Sequence, residues 1–101
     1  MYIDGVNRRY KKDMKYIEEN TVIHCATYES AVAVLGTFHH YGFKWNTGES
    51  YSTESNYRFH KENTCYYPVK GVFSSLDYFK RNGYKIIDSD TYLRGNVIKM
   101  K

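Results

Sequence analysis

The chain has 101 residues, one proline and two cysteines, and its 15 basic and 11 acidic residues give a net charge of +4. This length fits one domain, and the composition excludes collagen-like, proline-rich and disulfide-framework proteins. The 12 tyrosines, 5 phenylalanines and 1 tryptophan provide enough apolar surface for a packed core, which argues against a disordered chain.

The first 20 residues predict an N-terminal helix. Its apolar residues recur at helical spacing along one stripe: Val6, Tyr10, Met14 and Ile17. The N-terminus lacks the apolar run of a signal peptide, and no stretch reaches the roughly 20 apolar residues of a membrane span. We therefore expect a cytoplasmic protein that makes no membrane contact.

A buried strand and a second helix follow. The β-branched run Thr21–Cys25 predicts the strand, and Thr27 is a suitable N-cap for the helix. The helix is expected to end at Gly42 and to be followed by a short strand at Phe43–Trp45. Because Gly36 costs up to about 1 kcal/mol in a helix relative to alanine, close packing is expected there. Residues 46–63 form a long polar segment, which is more often functional or mobile than structural.

The second half of the chain carries similar signals. Thr64–Tyr67 predicts a strand that stops at Pro68, and a turn at Gly71 continues it as a hairpin. The capping box Ser74–Asp77 predicts a helix that Gly83 closes. Two further strands are expected, at Tyr84–Ile87 and Asn96–Lys99.

The ends of the two core helices form a weak internal repeat. Five residues of the first helix end have a residue of the same or similar type 41 positions later in the chain. Leu35, Phe38, Gly42, Phe43 and Lys44 correspond to Leu76, Phe79, Gly83, Tyr84 and Lys85. Two strand–helix–strand units predict an α+β fold with β-α-β-β-α-β order, the ferredoxin-like or split βαβ arrangement, plus the N-terminal helix. The single domain 1–101 divides into the helix at 1–20, a core at 21–90 and a strand or tail at 91–101.

The residues with soft metal-ligand or nucleophilic side chains form no recognisable reactive motif. Structural zinc sites need closely paired ligands, and Cys25 and Cys65 are far apart in the sequence. We expect both cysteines to be small buried residues on neighbouring strands. The sequence therefore predicts no catalytic residue, no metal site and no cofactor, and the chain is not expected to be an enzyme.

Tyrosine provides the better indication of function. Its flat ring and terminal hydroxyl suit interfaces and base stacking, and aromatic rings interleaved with cations can hold a nucleotide. Most of the 12 tyrosines are expected in the core or at its rim, where they replace the scarce leucine. The predicted ligand-binding residues lie in or beside the polar segment: Lys44, Trp45, Tyr51, Tyr57, Arg58, Lys61, Tyr66 and Tyr67.

Four stretches resemble a family of small accessory proteins from phages and prophages of Gram-positive bacteria: Val22–Thr27, Tyr41–Gly48, Lys61–Tyr67 and Asp77–Ile87. The glycine–aromatic–Lys–Trp–Asn–x–Gly element and the Thr-Cys-Tyr element carry the resemblance. It implies an early bacteriophage protein of the anti-defence type, acting in the cytoplasm of the bacterial host.

The resemblance and the aromatic residues together predict a non-enzymatic, stoichiometric inhibitor used in immune evasion. It would sequester a nucleotide signal molecule or bind a defence effector protein in the manner of an anti-CRISPR protein. A homo-oligomer is expected, because a short chain tends to pair through a free sheet edge. A nucleic-acid-binding accessory module and a small cysteine-dependent hydrolase both stay open as different functions.

Overall fold

The computed structural model describes residues 20–94. The predicted N-terminal helix and the predicted strand at Asn96–Lys99 lie outside these residues. Within them, four strands form one mixed sheet accompanied by three α-helices, so the predicted α+β class is confirmed.

The strands are β1 (Thr21–Cys25), β2 (Thr64–Tyr67), β3 (Val72–Ser75) and β4 (Lys85–Asp88). They lie in the order β3-β2-β1-β4, with β2 antiparallel to both β1 and β3 and with β4 parallel to β1. The ferredoxin-like arrangement is not confirmed. Residues 43–45, which were predicted to form one of its strands, make only an isolated bridge between Lys44 and Ser50.

The α-helices are α1 (Tyr28–His40), α2 (Leu76–Arg81) and α3 (Ser89–Leu93). Thr27 caps α1 as predicted, since its side chain accepts a hydrogen bond from the Ser30 backbone N–H at 3.0 Å. The cap of α2 lies one residue later than predicted: Ser75, not Ser74, accepts from the Tyr78 backbone N–H. Two short 3₁₀ helices, Tyr57–Phe59 and Lys61–Asn63, lie within the long polar segment.

Apolar side chains pack on both faces of the sheet. On one face, Ile23, Tyr66 and Ile87 pack against α1 and α3. On the other, Val22 and Cys65 pack against Phe79 of α2. This division follows from the alternation of side chains along each strand, and it leaves α1 and α2 on opposite faces of the sheet.

The repeat found in the sequence corresponds to one helix-ending motif used twice. The backbone N–H of Phe43 donates to the Phe38 carbonyl at 3.0 Å, and the N–H of Tyr84 donates to the Phe79 carbonyl at 3.0 Å. In each case the preceding glycine has a positive φ, and the two aromatic rings meet edge to face. This is the Schellman ending with its accompanying apolar contact.

Gly36 departs from its prediction. It lies on the exposed side of α1, and a Cβ built there would meet nothing within 4 Å. Close packing therefore does not explain why residue 36 is a glycine.

Candidate ligand-binding cleft

The polar segment is held against the sheet by aromatic side chains that were predicted at the surface. Trp45, Tyr51 and Tyr66 are buried, with exposed fractions of 6%, 1% and 0%. The Trp45 ring lies 4.5 Å from the Tyr51 ring and 6.1 Å from the Tyr66 ring, measured between centroids. These three rings lie below residues 46–59. Tyr51 and Tyr66 are not available for outward stacking, and only a small part of the Trp45 ring is exposed, at the cleft.

The polar groups of Trp45 and Tyr66 donate hydrogen bonds to the polar segment. The Tyr66 hydroxyl donates to the Ser55 carbonyl at 2.6 Å, and the Trp45 Nε1–H donates to the Glu54 carbonyl at 3.1 Å. The Tyr57 hydroxyl donates to the Ala26 carbonyl at 2.8 Å, which ties the far end of the segment to the end of β1. A buried tyrosine or tryptophan normally finds such a partner, and for Tyr66 and Trp45 the partners are backbone carbonyls of the irregular segment.

Burial keeps the inner hydroxyls protonated. Desolvation raises the pKa of both Tyr51 and Tyr66 well above the usual tyrosine range. In the structure both hydroxyls donate to backbone carbonyls, Tyr51 to Pro68 and Tyr66 to Ser55, and the raised pKa keeps these donors protonated into the alkaline range.

Five residues form a closed circuit of contacts, and three of them, Trp45, Glu54 and Phe73, line an open cleft. The Trp45 ring meets the Phe73 ring edge to face at 5.9 Å, and the Phe73 ring stacks on Phe59 at 5.8 Å. The Arg58 guanidinium lies over the Phe59 ring at 4.6 Å and donates to the Glu54 carboxylate at 2.8 Å. The circuit closes through the bond between Trp45 and the Glu54 carbonyl.

The cleft has a volume of about 430 Å³, and its lining combines aromatic rings with polar groups. Trp45 and Phe73 provide the apolar surface, and Asn46 and Asn56 provide hydrogen-bonding groups. Glu49 and Glu54 add two carboxylates, whereas no basic residue is among the lining residues in the described part of the chain. Such a mixture of apolar surface and a few polar groups is typical of binding sites.

The structure brings together some of the predicted site residues and separates others. Trp45 lines the cleft, and Arg58 lies beside it through its contact with Glu54. Tyr51 and Tyr66 support the cleft from below. The exposed Lys44 precedes Trp45 in the chain, and the exposed Lys61 begins the second 3₁₀ helix.

Two predicted residues lie elsewhere. Tyr57 packs edge to face against Tyr28 at 5.9 Å, away from the cleft lining. Tyr67 belongs to the opposite face of the sheet, where it packs against Phe79. Adjacent Tyr66 and Tyr67 thus point to opposite faces of the sheet, and both are buried, so neither presents its ring to a ligand at the surface.

Phe59, Phe73 and the acidic side of the cleft were not predicted from the sequence. In the sequence, Phe59 is an aromatic residue inside the polar segment and Phe73 is part of the predicted hairpin, and neither position indicates a site. No alternation in Val72–Ser75 indicated their role: Phe73 shares a face with Tyr66 because the two residues are cross-strand partners, which only the pairing of β2 with β3 decides.

The cysteine thiols show no sign of activation. Cys25 and Cys65 lie on neighbouring strands, as predicted, and both are fully buried. Burial raises the pKa of each thiol to about 12, so both are protonated at neutral pH. Among residues 20–94, no three His, Cys, Asp or Glu side chains are grouped so that they could hold a metal ion.

Comparisons with protein families, with curated proteins and with solved structures found no match to the chain. In the part of the chain that the structure describes, no helix has both the length and the apolar character needed to span a membrane.

Proposed function

We propose that this chain is a non-enzymatic, stoichiometric inhibitor of a bacterial defence system, and that it acts by binding a defence effector protein. The cleft supports this proposal because it is open, aromatic and acidic: Trp45 and Phe73 lie beside Glu49 and Glu54. The carboxylates favour a cationic side chain of a protein partner, and the rings favour its apolar stem. The bacteriophage context rests on the sequence resemblance.

The charge of the cleft favours one of the two ligand classes that the sequence left open. Two carboxylates line it, and the nearby Arg58 offsets only one of them through its bond to Glu54. Phosphate groups would meet a net negative lining, whereas a lysine or arginine side chain would meet an attractive one. The first candidate is therefore a protein ligand that presents basic side chains.

A nucleotide signal molecule is the second candidate, and Arg58 is the observation that favours it. Its guanidinium lies over the Phe59 ring next to the cleft, where it offers donors to a phosphate while Phe73 offers a ring to a base. This version requires Arg58 to leave Glu54 when the ligand arrives. The cost is small, because the pair is largely exposed.

A nucleic-acid-binding module and a cysteine-dependent hydrolase receive less support. The whole chain carries 15 basic and 11 acidic residues, and this net charge of +4 provides only a weak attraction for a nucleic acid. A cysteine hydrolase needs a thiolate, and the raised pKa of both buried thiols opposes its formation.

Phage plating tests the proposal directly. Bacteria carrying single, defined defence systems would express the chain, and plaque counts would be compared with those of an empty vector. We expect restored plaques against one system, together with a one-to-one complex with its effector in size-exclusion chromatography. Restoration by a catalytic amount of the chain, or no restoration against any system, contradicts the proposal.

Charge reversal links that activity to the cleft. Glu49→Lys should weaken the complex by about tenfold or more, because a cation then faces the partner's cation. Glu62→Lys is the matched control, since Glu62 is also exposed but does not line the cleft. If the two variants weaken the complex equally, the cleft is not the surface that binds the partner.

The nucleotide candidate has its own test in isothermal titration with cyclic and ADP-ribose-type nucleotides. If it is correct, heat is released with one of them, and Arg58→Ala abolishes the response. Arg81→Ala is the matched control, because Arg81 forms a similar exposed pair with Asp77 at 2.9 Å on another helix. Absence of heat with every nucleotide removes this candidate.

A further inference from the structure

Strand β3 lies at one edge of the sheet. Among the described strands it pairs with β2 alone, so its outward backbone N–H and C=O groups have no strand partner. Natural proteins usually protect such edges with lysine, proline or a bulge. The four residues of β3, Val72–Ser75, include neither a charge nor a proline. Apart from its short length, β3 therefore shows no feature among residues 20–94 that would prevent pairing with another chain.

A cleft flanks this edge strand on each face of the sheet. The acidic cleft lies on the face of Phe73 and Trp45. A second cleft, of about 520 Å³, lies on the face of Tyr67 and Phe79 and is further lined by Tyr78, Tyr84 and the basic Lys70, which disfavours a cationic side chain there. Val72 and Phe73 line both clefts, so the two meet at β3.

We infer that β3 binds an extended segment of the partner by strand addition, with alternate side chains of that segment entering the two clefts. Successive side chains of a strand point to opposite faces, so one set would enter each cleft. The acidic cleft takes lysine or arginine, and the tyrosine-lined cleft takes apolar side chains. The recognised segment thus alternates basic and apolar residues. This inference rests on the proposed function, because it specifies how the effector protein is bound.

Charge also decides between a foreign segment and a second copy of this chain. Two copies joined antiparallel through β3 would be related by a two-fold axis perpendicular to the sheet. Both acidic clefts would then lie on the same face of the joined sheet, with like charges near each other. A basic segment avoids this repulsion and neutralises Glu49 and Glu54, so we assign the edge to a foreign, basic strand.

Synthetic peptides test this mode of binding on the whole chain. The probe is a seven-residue, end-blocked peptide in which valine and lysine alternate. One control has the same composition with its lysines contiguous, and another has glutamate in place of lysine. We expect the alternating peptide to bind at least about tenfold more tightly than either control in fluorescence anisotropy, because only it pairs and fills both clefts.

Amide hydrogen exchange shows whether the peptide pairs with the edge. Exchange at Val72–Ser75 should slow when the alternating peptide is bound, and N-methylation of alternate peptide amides should abolish binding. Glu49→Gln should weaken binding by about two- to fivefold, as expected for an exposed charge pair. Glu62→Gln should leave binding unchanged.

Three results would overturn the inference: equal binding of all peptides, unchanged exchange at β3, or self-association of the chain through β3 in sedimentation experiments. Its failure is separable from failure of the proposed function. If the effector complex forms but β3 exchange does not change in it, the mode of binding is wrong and the function stands. If the peptide binds to β3 but no defence system is inhibited, strand addition at β3 is correct and the proposed function is wrong.

Discussion

The backbones of Gly71 and Asn46 are in direct contact and are joined by a hydrogen bond. The Asn46 N–H donates to the Gly71 carbonyl at 3.0 Å, and a Cβ at residue 71 would lie 2.4 Å from that nitrogen. The same Cβ would lie 2.6 Å from the Lys44 carbonyl oxygen. This close contact holds the turn before β3 against the segment that carries Trp45. Asn46 and Gly71 both line the acidic cleft, so their contact is part of its wall.

Gly71→Ala should therefore destabilise the protein by about 2–5 kcal/mol, through steric overlap added to the strain of a positive φ. Gly83→Ala is the control, because its φ of +78° is close to the +72° of Gly71 and nothing lies within 4 Å of the added Cβ. The control should lose only about 1 kcal/mol in urea unfolding. Equal losses in the two variants would show that the overlap is relieved at no cost.

Gly36→Ala should stabilise the protein by about 0.5–1 kcal/mol. The residue lies inside α1 with open space around its position, so alanine gains helix propensity without a clash. Thermal unfolding measures the change. A loss of stability would contradict the open space around this position.

Tyr66→Phe should cost about 1 kcal/mol and should loosen residues 50–59. It removes the hydroxyl that donates to the Ser55 carbonyl at 2.6 Å and leaves the ring packing in place. Amide exchange in the segment should accelerate along with the loss of unfolding free energy. Tyr78→Phe, at a largely exposed ring, should change stability by less than about 0.5 kcal/mol.

Stability should fall as the pH rises above about 9. Burial raises the pKa of Cys25 and Cys65 from 9.0 to about 12 and that of Tyr92 from 10.0 to about 12. Over this range the unfolded chain releases protons that the folded protein retains, so rising pH favours unfolding. Below pH 9 these groups are protonated in both states and contribute no pH dependence.

Urea unfolding across that pH range measures the effect. A variant with both cysteines replaced by alanine should show a shallower decline, since it retains only the tyrosine contribution. The native thiols should also resist alkylation at neutral pH and react once the chain is unfolded. Rapid alkylation of the native protein would contradict the burial of both residues.

The candidate site was only partly predictable from sequence. Trp45 and Arg58 were expected in it, and the structure brings both to the cleft. The burial of Tyr51 could not be predicted, because residues 46–63 have no periodicity from which a facing direction can be read. The burial of Tyr66 in β2 depends on the non-local packing of that face of the sheet against α1 and the polar segment. Glu54 was overlooked for a related reason: its role depends on contacts to Arg58 and Trp45 that follow from the course of the segment.

The sequence by itself determined the features that depend on neighbouring residues. Thr27 caps α1 and Gly83 ends α2 because caps and turns are satisfied within a few residues of the chain. Only the tertiary structure decided that β3 is an edge strand, that α1 and α2 cover opposite faces, and that Phe73 meets Trp45. These features depend on which distant strands pair and on how the long segment folds back, and such non-local contacts leave no periodic signal in the sequence.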